Sequence, residues 1–364
     1  MKVGILGGGQ LARMIALAGY PLGLQFVVLD PDPNAGAGGL SEHLLGAYDD
    51  PDLLAQLAAK ADVVTYEFEN VPAHVAEFLS SHTRVYPPAN ALAVAQDRLL
   101  EKNFFNDIGI GTAPYAQIDT LQDLQQAMAK IGYPAILKSR RMGYDGKGQV
   151  VIKSADDLEG AFQAMQGAPA IVEGFIAFRR EVSIIAARRP SGEIAFYPLS
   201  ENQHSGGILR VAKACLNDNL QASAEDYVRR LLERLDYVGV IALELFEVDG
   251  RLLANEFAPR VHNSGHWSIE GSETSQFENH LRAILDLPLG STQTRGFTGM
   301  VNFIGGLPAS EQVLKFGNGH LHLYDKAPRK GRKVAHATIR SDDQATFEAQ
   351  IERLAELAKS VDNS

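Results

Sequence analysis

The first hundred residues alternate short apolar runs with stretches of helical periodicity, and this alternation restricts the fold more than any other feature of the chain. Strands are predicted at KVGIL, QFVVLD and ADVVTYEFE, and helices at GGGQLARMIALAGYPLG, PDLLAQLAAK and PAHVAEFLSS. Strands separated by helices of this length indicate a parallel, doubly wound α/β sheet. The prolines Pro87 and Pro88 end this first unit.

The glycine-rich turn after the first strand raises the question of a dinucleotide site. Gly7, Gly9 and Ala12 satisfy the pattern G-x-G-x-x-A, and the second predicted strand ends on Asp30. This fingerprint is weak alone, because any doubly wound domain can carry such a turn. A turn of this kind also brings the backbone close to a nucleotide monophosphate. An NAD-dependent oxidoreductase is therefore one hypothesis for this segment.

Size, charge and cysteine content limit the class of protein. A chain of 364 residues predicts two or three domains, and a net charge of -10 argues against nucleic-acid binding. Cys215 is the single cysteine, so no disulfide within the chain is expected, and no motif around it predicts a reactive thiol. Without a membrane-length apolar run or a signal-peptide pattern, a soluble cytoplasmic protein is expected.

A glycine-rich loop between two strands is the strongest local signal for chemistry. A long bridging helix is predicted over NALAVAQDRLLEKNFFNDIG, and then a helix with Thr120 and Asp123 at capping-box spacing. The strand YPAILKS carries Lys138 into the loop MGYDGKGQ, and a second capped helix is predicted from Ser154. Glycines and lysines in this order favour phosphate binding. The alternative is a flexible hairpin with a type I′ turn.

Two acidic residues lie on a predicted hairpin further along the chain. IALELFEV and LLANEFAP flank Asp249-Gly250-Arg251, and a three-residue loop places Glu244 directly opposite Glu256. Opposed carboxylates in apolar strands need neutralisation, which a divalent cation on nucleotide phosphates would provide. A two-residue loop would instead put the acids on opposite faces. An edge hairpin with solvated acids is the other alternative.

Two later segments are rich in groups that bind anions. EFAPRVHNSGHW carries Arg260, His262, Asn263, Ser264 and His266. The segment DKAPRKGRKVAH concentrates basic residues in an otherwise acidic chain, and a proline and a glycine break it into a turn. Such a turn suits a phosphate clamp better than a helix face would. These basic residues are Lys326, Arg329, Lys330, Arg332 and Lys333.

In combination, a lysine-bearing strand, a glycine-rich loop between strands and two glutamates on a later hairpin resemble the ATP-grasp fold. More narrowly, GGGQLARM, AQDRLLEKNFF, GYDGKGQ, HNSGHW and YDKAPRKGRKVAH resemble the N5-carboxyaminoimidazole ribonucleotide synthetase family of purine biosynthesis. The resemblance runs from the first strand to about residue 340. Met142 and Ala12 stand where the family pattern leads us to expect glycine.

The resemblance implies a fold and a reaction. A Rossmann-like domain (1–97) would precede an ATP-grasp domain (98–295, with a lid at about 113–185), and a small C-terminal domain (296–364) would follow. The enzyme would carboxylate 5-aminoimidazole ribonucleotide with bicarbonate and ATP through carboxyphosphate, as a homodimer. Rival hypotheses are an NAD-dependent oxidoreductase, another ATP-grasp ligase and a catalytically idle nucleotide-binding protein.

The resemblance also implies site residues. ATP would be held by Arg98, Lys138, Gly143, Tyr144, Asp145, Gly146, Lys147, Gly148, Gln149, Glu173, Gly174, Phe175, Ile176, Glu181, His204, Asn255 and Glu256. The ribonucleotide would be held by Gln10, Leu11, Glu67, His262, Asn263, Ser264, Lys326, Arg332 and Lys333. Magnesium, or manganese as an alternative, would bind Glu244 and Glu256. The catalytic residues would be Tyr144, Asp145, Arg260 and Lys333.

Overall fold

A four-stranded parallel sheet forms the N-terminal part of the computed structural model, which describes residues 1–143 and 148–362. Its strands, paired in the order β3-β2-β1-β4, are β1 (Lys2–Leu6), β2 (Gln25–Asp30), β3 (Glu42–Leu45) and β4 (Val63–Tyr66). The helices are α1 (Gln10–Gly19), α2 (Pro51–Lys60) and α3 (Ala73–His82). Ile5 is buried in one cluster with Ile15 of α1, and Leu29 in another with Leu57 of α2. The predicted doubly wound sheet is confirmed, since helices cover both faces.

The predicted bridging helix is two helices, and the single-helix prediction is wrong. These are α4 (Ala89–Ala95) and α5 (Arg98–Asp107), and they are separated at Gln96 and Asp97. Asp97 is extended and caps α5: its Oδ1 accepts hydrogen bonds from the backbone N–H groups of Leu99 (3.0 Å) and Leu100 (3.4 Å). The same carboxylate binds Arg140 at 2.8 Å, so a distant residue fixes the break.

A second, four-stranded antiparallel sheet forms the module that carries the glycine-rich loop. It consists of β5 (Tyr115–Ile118), β6 (Ala135–Ser139), β7 (Gln149–Ile152) and β8 (Ala170–Gly174), in the order β5-β8-β6-β7. Helices α6 (Leu121–Ile131) and α7 (Leu158–Ala164) pack on it. Both predicted capping boxes form, at Thr120 with Asp123 and at Ser154 with Asp157.

A nine-stranded sheet forms the rest of the molecule. Its strands are β9 (Arg180–Arg188), β10 (Ile194–Phe196), β11 (Ser200–Ser205), β12 (Ile208–Ala214), β13 (Gly239–Val248), β14 (Arg251–Ala258), β15 (Phe297–Ile304), β16 (Gly319–Leu323) and β17 (Lys333–Ser341). The order is β14-β13-β9-β11-β12-β15-β17-β16, with β10 beside β9. Its helices are α8 (Gln221–Arg234), α9 (Ser268–Gly271), α10 (Gln276–Ile284), α11 (Ser310–Leu314) and α12 (Gln344–Ser360).

The C-terminal segment extends this large sheet. Strands β15, β16 and β17 continue it, and α12 packs on them through Phe347, Ile351 and Leu354. The periodicity of SDDQATFEAQIERLAELAKSV predicts an amphipathic helix at the end of the chain, and α12 is that helix. No helix within residues 1–143 or 148–362 combines the length and apolarity needed to span a membrane. Burial raises the pKa of the Cys215 thiol to about 11, in keeping with an unreactive cysteine.

Candidate active site

A cleft of about 670 Å³ is lined by residues from all three sheets and their loops. The N-terminal domain contributes the start of α1 and the loop after β4, the second sheet contributes β6, and the large sheet contributes β13 and β14. The predicted site residues that line the cleft are Gln10, Leu11, Glu67, Arg98, Lys138, Gly143, Gln149, Glu181, His204, Glu244, Asn255, Glu256, Arg260, His262, Asn263 and Lys333.

The β13–β14 hairpin places Glu244 directly opposite Glu256, as predicted, but the loop behind this register is different. The loop has two residues, Asp249 and Gly250, with φ of 49° and 74°, as a type I′ turn requires. The prediction of a three-residue loop is wrong. A bulge restores the register, because Leu245 pairs with Ala254 and Asn255 is the extra residue. The bulge therefore keeps both acids on one face of the sheet.

Each of these acids has a basic partner from another segment. Arg98 Nη1 donates to Glu256 Oε2 at 3.0 Å, and His262 Nε2 lies 3.1 Å from Glu244 Oε1. Burial raises the pKa of Glu244, but the hydrogen bond from His262 and nearby positive charges lower it to about 2. Both carboxylates thus lie in a strongly cationic surrounding, and Glu256 is 42% exposed toward the cleft.

Lys138 lies above a second buried carboxylate. Its Nζ is 3.2 Å from Glu173 Oε1, and Lys102 Nζ is 3.2 Å from Glu173 Oε2. Burial lowers the pKa of Lys138, and the negative charge of Glu173 opposes that effect. Glu173 therefore pairs with two lysines beneath the cleft. Two lysines around one carboxylate leave a net positive charge for the phosphate chain of a nucleotide.

The segment that follows Glu173 carries the other predicted nucleotide contacts. The backbone N–H of Gly174 donates to Pro114 O (2.8 Å) and that of Phe175 to Pro134 O (3.1 Å), which fixes this segment against the second sheet. Phe175 is half exposed, and Ile176 follows it. Across the cleft, Glu181 Oε2 is in hydrogen-bond contact with His204 Nδ1.

The glycine-rich turn before α1 is occupied by carboxylates of this chain. Gly9 N–H donates to Glu67 Oε1 (2.6 Å), Ala12 N–H donates to Glu67 Oε2 (3.0 Å), and Gly8 N–H donates to Asp30 Oδ2 (2.7 Å). Asp30 is buried and cannot serve as the ribose acceptor of a dinucleotide. These contacts fill the places that a pyrophosphate would take, so the geometry disfavours NAD.

The loop after β14 holds the predicted Arg260, His262, Asn263 and Ser264. Arg260 pairs with Glu69 through Nε–Oε2 (2.5 Å) and Nη2–Oε1 (3.1 Å). Ser264 is fully buried and lies 2.8 Å from His262 Nδ1, so its hydroxyl supports His262 and does not line the cleft. The amide oxygen and nitrogen of Asn263 are buried without a hydrogen-bond partner among the described residues.

The basic turn approaches the cleft from the C-terminal strands. Lys326 Nζ donates to Gln10 Oε1, and burial lowers the pKa of Lys326. Lys333 lines the cleft at the start of β17, and Arg332 contacts Ala327 O at 3.4 Å. Arg329 and Lys330 are exposed. Four predicted residues of the glycine-rich loop lie outside the described residues: Tyr144, Asp145, Gly146 and Lys147. On either side of them, Gly143 O accepts a hydrogen bond from Arg98 Nη2 (3.3 Å), and Gly148 O accepts one from Ser139 N–H (2.8 Å).

Comparisons with known proteins agree with this geometry along the whole chain. Family models match the ribonucleotide synthetase preATP-grasp domain at residues 1–96, the ATP-grasp domain at 103–277 and the phosphoribosylaminoimidazole carboxylase C-terminal domain at 298–350. An N5-carboxyaminoimidazole ribonucleotide synthase from Pseudomonas aeruginosa is 55% identical over 96% of this chain and 98% of its own. The chain belongs to the N5-carboxyaminoimidazole ribonucleotide synthase family.

Solved structures extend the likeness to the backbone. The N5-carboxyaminoimidazole ribonucleotide synthetase of Thermus thermophilus has a TM-score of 0.94, 52% identity and 98% coverage of both chains. The Aspergillus clavatus synthase, solved with ADP and 5-aminoimidazole ribonucleotide, has a TM-score of 0.91, 32% identity and 99% coverage of both chains. The protein, as a member of this family, has the ATP-grasp fold and is an ATP-dependent ligase of purine biosynthesis.

Several residues in or beside the cleft were not predicted. Glu101 and Lys102 are 2% exposed: Glu101 Oε1 accepts from Phe257 N–H (2.7 Å), and Lys102 Nζ donates to Asn255 O (2.8 Å). Burial, followed by the charge of Glu256, raises the pKa of Glu101 well above its usual value. The sequence did contain a signal for Glu101 and Lys102. With Arg98 and Phe105 they lie at helical spacing on one inward-facing side of α5. Glu69 gave no comparable local signal.

Proposed function

We propose that this chain joins bicarbonate to the exocyclic amine of 5-aminoimidazole ribonucleotide at the expense of ATP, and that ADP and phosphate are released. The observation that carries the proposal is one cleft in which Lys138, Glu256 and Arg260 meet Gln10 of the N-terminal domain. Nucleotide and ribonucleotide sites that share one cleft allow an unstable intermediate to pass between them without release.

The ATP site is proposed between the second sheet and β13–β14. Lys138, over the Glu173 carboxylate, and Arg98, beside Glu256, supply positive charge for the phosphates. The segment from Glu173 to Ile176 would contact the adenine through backbone groups other than the N–H groups of Gly174 and Phe175, which are bound within the chain. Glu181, beside His204, would accept the ribose hydroxyls. The loop from Gly143 to Gln149 would cover the phosphates. The segment Tyr144–Lys147 of that loop lies outside the described residues, so its part rests on the family resemblance.

The donor set at Glu244 and Glu256 fits Mg²⁺, with Mn²⁺ as an alternative. Two carboxylates on one sheet face, beside nucleotide phosphates, match the preference of Mg²⁺ for one or two protein carboxylates and phosphate oxygens. When bound, the ion would neutralise charge on the transferring phosphoryl group. Arg98 and His262 hold the two carboxylates in place and would move from them toward substrate oxygens as the site fills.

The ribonucleotide site is proposed on the other side of the cleft. Gln10, Leu11 and Glu67 would line it, with His262 and Asn263, supported by Ser264, on the facing loop. The backbone N–H groups of Gln10 and Leu11 lie in the first turn of α1, where no intrahelical acceptor is available to them, and they would donate to the substrate. The 5′-phosphate would bind Lys326, Arg332 and Lys333.

The chemistry would proceed in two steps. A bicarbonate oxygen attacks the γ-phosphorus of ATP, the bond to the bridging oxygen breaks, and ADP leaves with that electron pair. The exocyclic nitrogen then attacks the carboxyl carbon of carboxyphosphate, or of the carbon dioxide that it releases. Phosphate leaves, and the nitrogen gives up a proton, which Asp145 would accept while Tyr144 closes the pocket. Arg260 would bind the oxyanion of carboxyphosphate.

Phosphate release from ATP tests this function, with bicarbonate and the ribonucleotide added singly and together. Release that is fastest with both substrates, and one carbamate formed per phosphate, is expected. If the ribonucleotide fails to stimulate release in the presence of bicarbonate, the substrate assignment is wrong. We also propose the domain limits given above, a homodimer and a cytoplasmic location. Light scattering at working concentration tests whether the protein is a homodimer.

A further inference from the structure

The loop after β4 reaches both halves of the cleft. Glu67 binds the turn before α1, while Glu69, two residues later, forms the bidentate pair with Arg260 of the loop after β14. Gln96, at the end of α4, holds this loop through hydrogen bonds from its Nε2 to Glu69 O (2.7 Å) and Val71 O (2.6 Å). The carboxylate of Glu69 therefore projects from a fixed backbone.

The pair determines which N–H groups of Arg260 remain for a ligand. Arginine has five, of which Nε–H and one Nη2 hydrogen are bound to Glu69 and one Nη1 hydrogen to Val261 O (3.3 Å). The other Nη1 and Nη2 hydrogens remain, in the plane that Glu69 sets. Because Glu69 also neutralises the guanidinium, Arg260 attracts a free anion less strongly than an unpaired arginine would.

We propose that Glu69 is the positioning residue for Arg260. Glu69 holds the Arg260 guanidinium in the orientation that binds carboxyphosphate. Because Glu67 of the same loop contacts the turn before α1, this orientation is connected to the ribonucleotide half of the cleft. The proposal rests on the oxyanion role proposed for Arg260. Glu69 takes no part in bond making, and its contribution is to prevent carboxyphosphate from being lost to water before the amine attacks.

Glu69→Gln tests this role, because glutamine is the same size but cannot accept two hydrogen bonds in the same way from a guanidinium. We expect kcat to fall about tenfold to a hundredfold. The KM for bicarbonate should not rise, since Arg260 becomes less neutralised. The decisive readout is the ratio of carbamate formed to phosphate released, measured with ¹³C-bicarbonate and an alkaline quench that preserves carbamates. This ratio should fall below stoichiometric, and it does not depend on the folded fraction.

The matched control is Glu247→Gln. Glu247 is a buried carboxylate that pairs with Arg180 (2.5 Å) on the opposite face of β13 from Glu244, and its variant should keep a stoichiometric ratio. Glu69→Gln combined with Arg260→Lys should cost no more than Arg260→Lys alone, because both changes remove one arrangement. A stoichiometric ratio in Glu69→Gln, or additive losses in the double variant, would overturn the proposal.

Two further measurements keep the test conclusive. If Glu69→Gln does not fold, Glu69→Asp takes its place; it keeps the charge but withdraws the carboxylate by one methylene, and the ratio should again fall. A stoichiometric ratio there overturns the positioning role. Failure of the proposed function itself would appear earlier and separately, as native protein whose phosphate release the ribonucleotide does not stimulate.

Discussion

Two pairs of carboxylates lie in or beside the same cleft, and their partners differ in kind. Asp30 and Glu67 accept hydrogen bonds from backbone N–H groups of the turn before α1. Glu244 and Glu256 contact the side chains of His262 and Arg98. Backbone donors cannot move without unfolding the turn, whereas basic side chains can rotate toward a ligand. The first pair therefore stabilises the fold, and the second remains available for exchange with a metal and phosphates.

The difference shows what a phosphate-binding pattern in a sequence does and does not reveal. The turn at Gly7–Ala12 has the backbone shape of a dinucleotide site, yet the N–H groups of Gly8, Gly9 and Ala12 are already bound to carboxylates of the chain. The hairpin has no named motif, and it presents the acids that suit a cation. A pattern thus predicts backbone geometry, while the remaining hydrogen-bond capacity decides which ligand can bind.

The largest effect is expected at the exchangeable pair. Glu256→Gln should lower ATP cleavage on the order of a thousandfold, because the metal position loses a charged ligand worth several kcal/mol in the transition state. Its melting temperature should stay close to that of the native protein, since Glu256 is partly exposed. Phosphate release with both substrates measures the first effect, and calorimetry the second.

Glu247→Gln, on the same hairpin but the other sheet face, serves as the control and should keep nearly native ATP cleavage. Excess Mg²⁺ should not rescue Glu256→Gln fully. Native turnover by Glu256→Gln would show that the hairpin acids do not serve the metal, and would remove the contrast between the two pairs.

A smaller effect, on stability, is expected at the structural pair. Asp30→Ala leaves the N–H groups of Gly8 and Asp32 and the hydroxyl of Tyr48 without their acceptor, and Asp30 is only 6% exposed. The free energy of unfolding should fall by about 3 kcal/mol. Urea unfolding measures it. Asp50→Ala, which removes the partly exposed cap of α2, is the matched control and should cost about 1 kcal/mol. If both variants lose the same free energy of unfolding, Asp30 contributes no more to stability than an ordinary helix cap does.

A third effect depends on pH and concerns the seam between the N-terminal sheet and β13. His280 Nδ1 accepts from Val240 N–H (3.1 Å), and its Nε2 lies 2.8 Å from Thr65 Oγ1. Burial lowers the pKa of His280 to about 4. Below pH 6.5 the unfolded chain takes up a proton that the folded chain excludes, so this contribution to stability falls as the pH drops from about 6.5 toward 4.

Between pH 7 and 5 this single group should remove about 2 kcal/mol from the free energy of unfolding, measured by urea titration at each pH. His280→Gln, whose amide can keep both hydrogen bonds but has no charge to gain, should show a flatter dependence over this interval. Because every other titratable group is common to both proteins, the difference isolates His280. Parallel curves would contradict the assignment.

Much of the fold could be predicted because its signals are local. The alternation in the first hundred residues, the capping boxes at Thr120 and Ser154 and the final amphipathic helix each depend on neighbouring residues. The errors share a different cause. Asp97 breaks the bridging helix while it binds Arg140, and a bulge at Asn255 compensates for a shorter turn. Glu69 became visible only through its contact with Arg260, which no local pattern encodes.

The smallest expected effect is none at all, and it tests the closed turn directly. NADH should not raise the melting temperature once ADP saturates the nucleotide site, because Gly8, Gly9 and Ala12 N–H groups are bound to Asp30 and Glu67. ADP alone should raise it by mass action, and the ribonucleotide should raise it further. ADP must be present, since the adenosine diphosphate part of NADH could otherwise occupy the ATP site. The contrary result would be a rise in melting temperature when NADH is added over saturating ADP, and loss of that rise when the ribonucleotide is added. It would mean that a dinucleotide displaces the carboxylates of Asp30 and Glu67, and that the contacts of the turn are as exchangeable as those of the hairpin.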